Sequence, residues 1–199
     1  MSGGARHEKR RRAILKTALD VFVDEGFEGT TFQKIADRCG ITRTTLYIYF
    51  KNKREIFNYS IKLLLASVET DILAIRAEES TNAVDKIVAV LKAIIGHLEE
   101  NRGIIFVVLG YLLSVTKGPP DPGRRVRRRT IRLRHILSSI VIAGINAGEI
   151  RPVSVRAASD FLYGFIESAI FRLAVMRQKN LGDLRETAEA VVRRFAADA

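Results

Sequence analysis

Between Thr42 and Lys53 the chain sets out side chains of one chemical kind. Thr42, Arg43, Thr44, Thr45, Tyr47, Tyr49, Lys51 and Lys53 are hydroxyls, phenols and cations, with no acid among them. Such groups donate to phosphate oxygens and touch base edges or thymine methyls. Thr31 adds one more hydroxyl at the head of the same stretch. An ordinary solvated face would mix both signs of charge. The competing reading is a basic surface helix whose two tyrosines pack on neighbours.

To present these groups, TTFQKIADRCGITRTTLYIYFKNK, residues 30–53, must fold as two short helices and a tight turn. Ile35 and Ala36 lie on the inner face of the first. Leu46 and Phe50, four apart, give the second its apolar face. Gly40 falls where the chain must reverse, and a residue without a Cβ turns there at no steric cost. Ala36, four positions earlier, is small enough for the helices to cross closely. Thr30 is the expected cap of the first helix, with Gln33 as its reciprocal partner, and Thr42 that of the second. The pattern is a helix-turn-helix, whose second helix is offered to the DNA major groove.

The run GITRTTLYIYFKNKREIF resembles the recognition-helix signature of the TetR/AcrR family of transcriptional regulators. Leu46, Tyr47, Tyr49, Phe50 and Lys53 are its most specific part. AILKTALDVFVDEGFEGTTFQKIA upstream is similar to the family's first helix, so the resemblance covers roughly the first 60 residues. It implies a homodimeric regulator, usually a repressor. In such a regulator the body binds a small molecule and the paired recognition helices then lose register on the operator.

Composition agrees with a polyanionic partner. The 199 residues carry a net charge of +11, concentrated in two places. Residues 1–54 hold 12 Lys/Arg and 6 Asp/Glu, and residues 119–135 hold 7 Arg and one Asp, leaving the remainder near neutral. The single cysteine excludes an intrachain disulfide and fits a reducing cytoplasm. The basic start lacks the apolar core of a signal peptide, and no run approaches a membrane span. A cytoplasmic protein with no membrane partner is expected.

The fold class expected is all-α: a three-helix helix-turn-helix head, residues 1–52, and a ligand-binding and dimerisation bundle, residues 53–199, about nine helices in all. Residues 1–7 read as a disordered arm and 8–25 as the first helix. A long helix over 53–78 spans roughly 38 Å at 1.5 Å per residue and can transmit between head and body. Helices follow over 81–100, 104–116, 124–147, 152–178 and 184–197, with a Pro/Gly loop at 117–123. The segment 104–116 is apolar nearly all round, the mark of a central, buried helix.

A greasy pocket for a small lipophilic effector is expected between these helices, lined by Phe106, Leu109, Tyr111, Leu113 and Phe165. Dimerisation is expected through the stripes Leu184, Ala188, Val191, Phe195 and Phe161, Phe165, Ala169, Ile170. The arginine run before His135 reads as a solvated basic face, an extra DNA contact, or the site of an anionic headgroup. His97 with Glu100 reads as a surface polar pair and not a metal edge, and Cys39 as a small residue of the head's interior. No metal site, cofactor or catalytic constellation is read from the sequence. The rival functions are a constitutive DNA-binding protein without effector, an activator of the same fold, and a small-molecule enzyme with a basic head.

Overall fold

The computed structural model describes residues 2–114 and 122–197. Among these it contains nine α-helices: α1 (Ser2–Gly29), α2 (Phe32–Arg38), α3 (Arg43–Tyr49), α4 (Lys53–Ala77), α5 (Ala83–Glu100), α6 (Arg102–Ser114), α7 (Pro122–Asn146), α8 (Val155–Ala174) and α9 (Gly182–Val192). A 3-10 turn, Arg193–Phe195, follows α9. The class is all-α, and the nearest thing to a sheet is one isolated antiparallel bridge, Ile150 to Ala196. No described helix is long and apolar enough to cross a membrane. The expected loop at 117–123 falls largely outside the described residues, and its last two residues begin α7.

The described chain forms two compact units. The first comprises the residues up to Ser67 with Phe106–Ser114, and the second Val68–Ile105 with the residues from 122 onward. α4 and α6 therefore each supply residues to both.

In the first unit, α1 lays down Ile14, Leu15, Ala18, Val21 and Phe22 at helical spacing, all buried. Ile35, Ala36, Leu46, Phe50, Ile56 and Phe57 close over them from α2, α3 and α4. Phe27, Phe57 and Tyr111 stack edgewise beneath, with Tyr111 4.4 Å from Phe27 and 5.1 Å from Phe57. Ser60, fully buried, donates to the Leu15 carbonyl at 2.8 Å and ties α4 to α1. Gly26 breaks α1 with φ 69°, and the buried Thr30 hydroxyl donates back to its carbonyl at 2.6 Å.

In the second unit, α5, α7, α8 and α9 surround Ile87, Leu91, Leu137, Leu162 and Val192. Asn82 and Ser154 cap α5 and α8. A polar seam joins α7 to α8: Thr130 meets the Tyr163 hydroxyl at 3.0 Å, Arg134 donates to Asp160 at 2.7 Å, and Ser138 meets Ser159 at 2.8 Å. The last turns of α4 are held by His97, 2.7 Å from Asp71, and by the Arg132–Glu69 ion pair.

Four expectations change. The arm is helical from Ser2, because an unbroken run without proline or internal glycine after Gly4 lets the helix propagate. Thr30 does not cap α2; Thr31 does, accepting from the Lys34 amide, while Gln33 turns to Asp37. α6 is only half enclosed: Ile104, Val107 and Tyr111 are buried but Phe106 is 38% exposed. Leu184, Ala188 and Ala169 are buried within one chain, against α5 and α8, so they offer nothing to a second copy.

Gly144 is the most closely approached of the described glycines in the second unit. A Cβ there would come within 2.6 Å of Ala83 Cβ and of the Ile150 side chain. Gly144→Ala should therefore destabilise by about 1–3 kcal/mol, whereas Gly96→Ala, with open space around it, should be neutral or stabilising by up to about 1 kcal/mol. Thermal denaturation of the two variants checks the contrast.

Candidate nucleic-acid interface

The turn between α2 and α3 is built from backbone bonds. Gly40, at φ +62°, donates to the Asp37 carbonyl at 3.1 Å, and Ile41 to Ala36 at 3.0 Å. The positive φ is the conformation that an L side chain resists. α3 then starts at Thr42, whose hydroxyl oxygen accepts from the Thr45 amide at 3.1 Å and lies 2.8 Å from the Thr45 hydroxyl. Leu46 and Phe50 anchor the helix, buried to 0% and 1% exposure.

The opposite side of α3 faces outward. Arg43 donates to the Tyr47 hydroxyl at 3.1 Å, and the Tyr47 ring packs on Phe32 at 4.7 Å. Thr44 is exposed and Thr45 half-buried. Tyr49 stacks on His7 at 4.5 Å. Lys51 is exposed, its amide donating to Glu55. Lys53 is more committed: its ammonium donates to the carbonyls of Phe27 and Glu28 at 2.9 and 3.1 Å and lies over the Phe27 ring. Thr31 stands at the head of α2. These nine residues thus gather around one short helix and its flanks.

Ile48 is absent from the sequence-based set, yet it is 70% exposed at the middle of α3. Its signal was present: it lies two residues from Leu46 and two from Phe50, and so opposite the anchored face. A β-branched apolar side chain there suits thymine methyls.

Charge is partitioned around the site. Of the acids at the end of α1, Asp24 pairs with Arg38 at 2.9 Å and Glu25 with Lys34 at 2.6 Å, both on α2, while Glu28 lies 3.7 Å from Lys53. Among the described residues no acid pairs with Arg43 or Lys51. Cys39 is half-buried at the end of α2; burial pushes its thiol pKa up, against a hydrogen bond from Thr17, which disfavours the reactive thiolate.

The expected effector residues do not all fall together. Phe106, Leu109 and Tyr111 belong to the first unit, where Tyr111 serves the Phe27–Phe57 cluster. Phe165 belongs to the second, in edge contact with Phe161 at 5.5 Å. The side chain of Leu113 lies outside the described residues. An open hollow of about 330 Å³ in the second unit is lined by Val153, Phe161, Val191 and Phe195, with Arg151 and Arg194 beside them.

Residues 14–59 match the family model described as bacterial regulatory proteins, tetR family. The head, residues 14–59, is of the TetR family. The matched segment is α1 from Ile14 through α3 to Tyr59, the TetR-type head whose geometry is given above. Over 171 residues the chain is 25% identical to the fatty acid metabolism regulator protein of Bacillus subtilis, covering 83% of this chain and 84% of that one. The fold is shared with the Bacillus subtilis transcriptional regulator FadR in complex with stearoyl-CoA, at 22% identity and TM-score 0.70 over 92% of this chain and 96% of that one. It is shared also with AibR in complex with isovaleryl coenzyme A and operator DNA, at 20% identity and TM-score 0.65 over 94% and 97%. The chain thus carries a TetR-family helix-turn-helix head, and it shares its fold with solved TetR-family regulators.

Thr42 caps α3 from both its oxygen's contacts, whereas Thr44 is merely exposed. Thr42→Ala should cost about 1 kcal/mol of head stability and speed amide exchange across α3. Thr44→Ala should leave exchange unchanged. Hydrogen exchange on the free protein reads both.

Proposed function

We propose that the protein is a cytoplasmic, homodimeric repressor that leaves its operator when an acyl thioester of coenzyme A binds its body. The observation that carries the DNA half is the outward face of α3: hydroxyls, phenols and cations, anchored by Leu46 and Phe50 and bearing no acid. Arg43, Thr44, Tyr47 and Ile48 meet base edges and methyls, while Thr31, Tyr49 and Lys51 meet phosphates. Thr42 and Thr45 set the start of the helix, and Lys53, bonded to the Phe27 and Glu28 carbonyls and 3.7 Å from the Glu28 carboxylate, holds α4 against α1.

Dimerisation uses the outward side of α8. Phe161 and Phe171 are 49% and 55% exposed there, with the small Gly164 and Ser168 between them at helical spacing. Two copies of such a stripe pack closely about a two-fold axis. Each copy then offers one α3 to one half of a near-palindrome.

Two features support the effector class. The relatives named above include a fatty acid metabolism regulator and proteins crystallised with acyl-CoA. The chain itself pairs apolar helices with seven arginines over 124–134, a match for a fatty chain joined to a polyphosphate headgroup. Of these, Arg132 and Arg134 already hold Glu69 and Asp160. The Arg132–Glu69 pair grips α4, so a headgroup that competes for Arg132 alters α4, the helix that also builds the head. Occupancy thereby shifts the population away from the DNA-competent arrangement.

Fluorescence anisotropy on an operator duplex should show long-chain acyl-CoA weakening DNA binding by about 5- to 150-fold, with free coenzyme A and free fatty acid far less effective. If no acyl-CoA of any chain length alters affinity, the effector assignment is wrong. Phe171→Glu places a charge on an exposed position, so the protomer should fold, yet sedimentation should show monomer where wild type is dimer. Wild-type monomer at micromolar concentration would remove the dimer.

A further inference from the structure

The family match starts at residue 14, but α1 starts at Ser2. The preceding turns are strongly basic, holding Arg6, Lys9, Arg10, Arg11 and Arg12 against Glu8 alone. They are also fastened down. His7, Arg11 and Leu15 are spaced four apart and form one stripe of the helix. Leu15 is buried in the head's core, 3% exposed. Arg11 places its guanidinium 4.2 Å from the Tyr59 ring and 5.0 Å from the Phe50 ring. His7 lies on the Tyr49 ring, 4.5 Å away with 21° between planes. The stripe that seals the core thus runs on to the end of the recognition helix.

The cations divide by face. Arg12 is spent on Glu8 at 3.2 Å. Arg6, Lys9 and Arg10 fall together on one flank of the helix, all exposed, and no acid among the described residues pairs with them. Arg10 is near enough to Cys39 to act on its thiol, so this flank looks toward the end of α2 and the turn before α3.

We propose that the opening turns of α1 are a second DNA-contacting element. Resting on the regulator reading above, it lays Arg6, Lys9 and Arg10 on backbone phosphates beside the groove occupied by α3. His7 is a positioning residue: by stacking on Tyr49 it fixes the end of α3 relative to these cations. The element reads no bases, since ammonium and guanidinium groups on a helix flank meet phosphates through charge.

The test uses the full chain with Arg6, Lys9 and Arg10 all changed to Gln. Binding is titrated over salt on an operator selected from random DNA and on a mixed-sequence duplex. The expected result is a similar loss on both duplexes, unchanged base preference, and a slope of log K against log salt shallower by about 2–3. His7→Ala should weaken operator binding roughly threefold with the slope kept, and His7→Phe, which still stacks, should restore it. A wild-type slope in the triple variant overturns the inference, as does failure of His7→Phe to recover when His7→Ala is impaired. Loss of binding to anionic vesicles with DNA binding intact would also overturn it, assigning the patch to a membrane surface. If the unaltered chain bound neither duplex, the regulator reading itself would fail.

Discussion

A helix of seven residues does not hold itself together in water. Isolated helices shorter than about 12–15 residues are marginal even with the best propensities, and α3 has seven residues with two threonines and two tyrosines. Its existence depends on two side chains, Leu46 and Phe50, pressed into the core that α1 provides. Burial of each stabilises by about 1.5–3 kcal/mol, and the Thr42 cap and the Gly40 turn restrain what remains. The inner face does most of the anchoring, and the outer face, where Tyr47 packs on Phe32 and Tyr49 on His7, stays exposed at Arg43, Thr44 and Ile48 for DNA.

The same economy governs charge. A basic head with six acids within its first 54 residues would blur its own field if those acids sat near α3. Four of them are paired: Glu25 and Asp24 with Lys34 and Arg38 of α2, Glu8 with Arg12, and Glu28, 3.7 Å away, with Lys53. The opening turns of α1 extend the unpaired positive surface. In the second unit, arginines act as ties: Arg132 to α4, Arg134 across the seam to α8, and Arg185 to Glu99 between α9 and α5.

What could be read from residues alone follows from the reach of each signal. The helix-turn-helix was legible because Leu46 and Phe50, Gly40 and Thr42 act within a few positions of one another. Which of two adjacent threonines caps α2 was not, since Thr30 and Thr31 differ only in which one the α1 kink at Gly26 draws inward. The stripe Leu184–Ala188 announced burial without its partner, and a neighbouring helix of the same chain took it. α6 was read as enclosed because it is apolar all round, but apolar composition says what a helix tolerates and not what surrounds it. The fastening of His7 to Tyr49 joins residues 42 positions apart and left no local trace.

Selection of duplexes from a random DNA library, followed by sequencing of those retained, tests the central claim most directly. An inverted repeat should be enriched, its half-sites set one helical turn or a multiple apart, about 10 base pairs. Replacing Arg43 or Ile48 should change the preferred bases within each half. Retention of duplexes with no common sequence at moderate salt would contradict a dimer that reads DNA through α3.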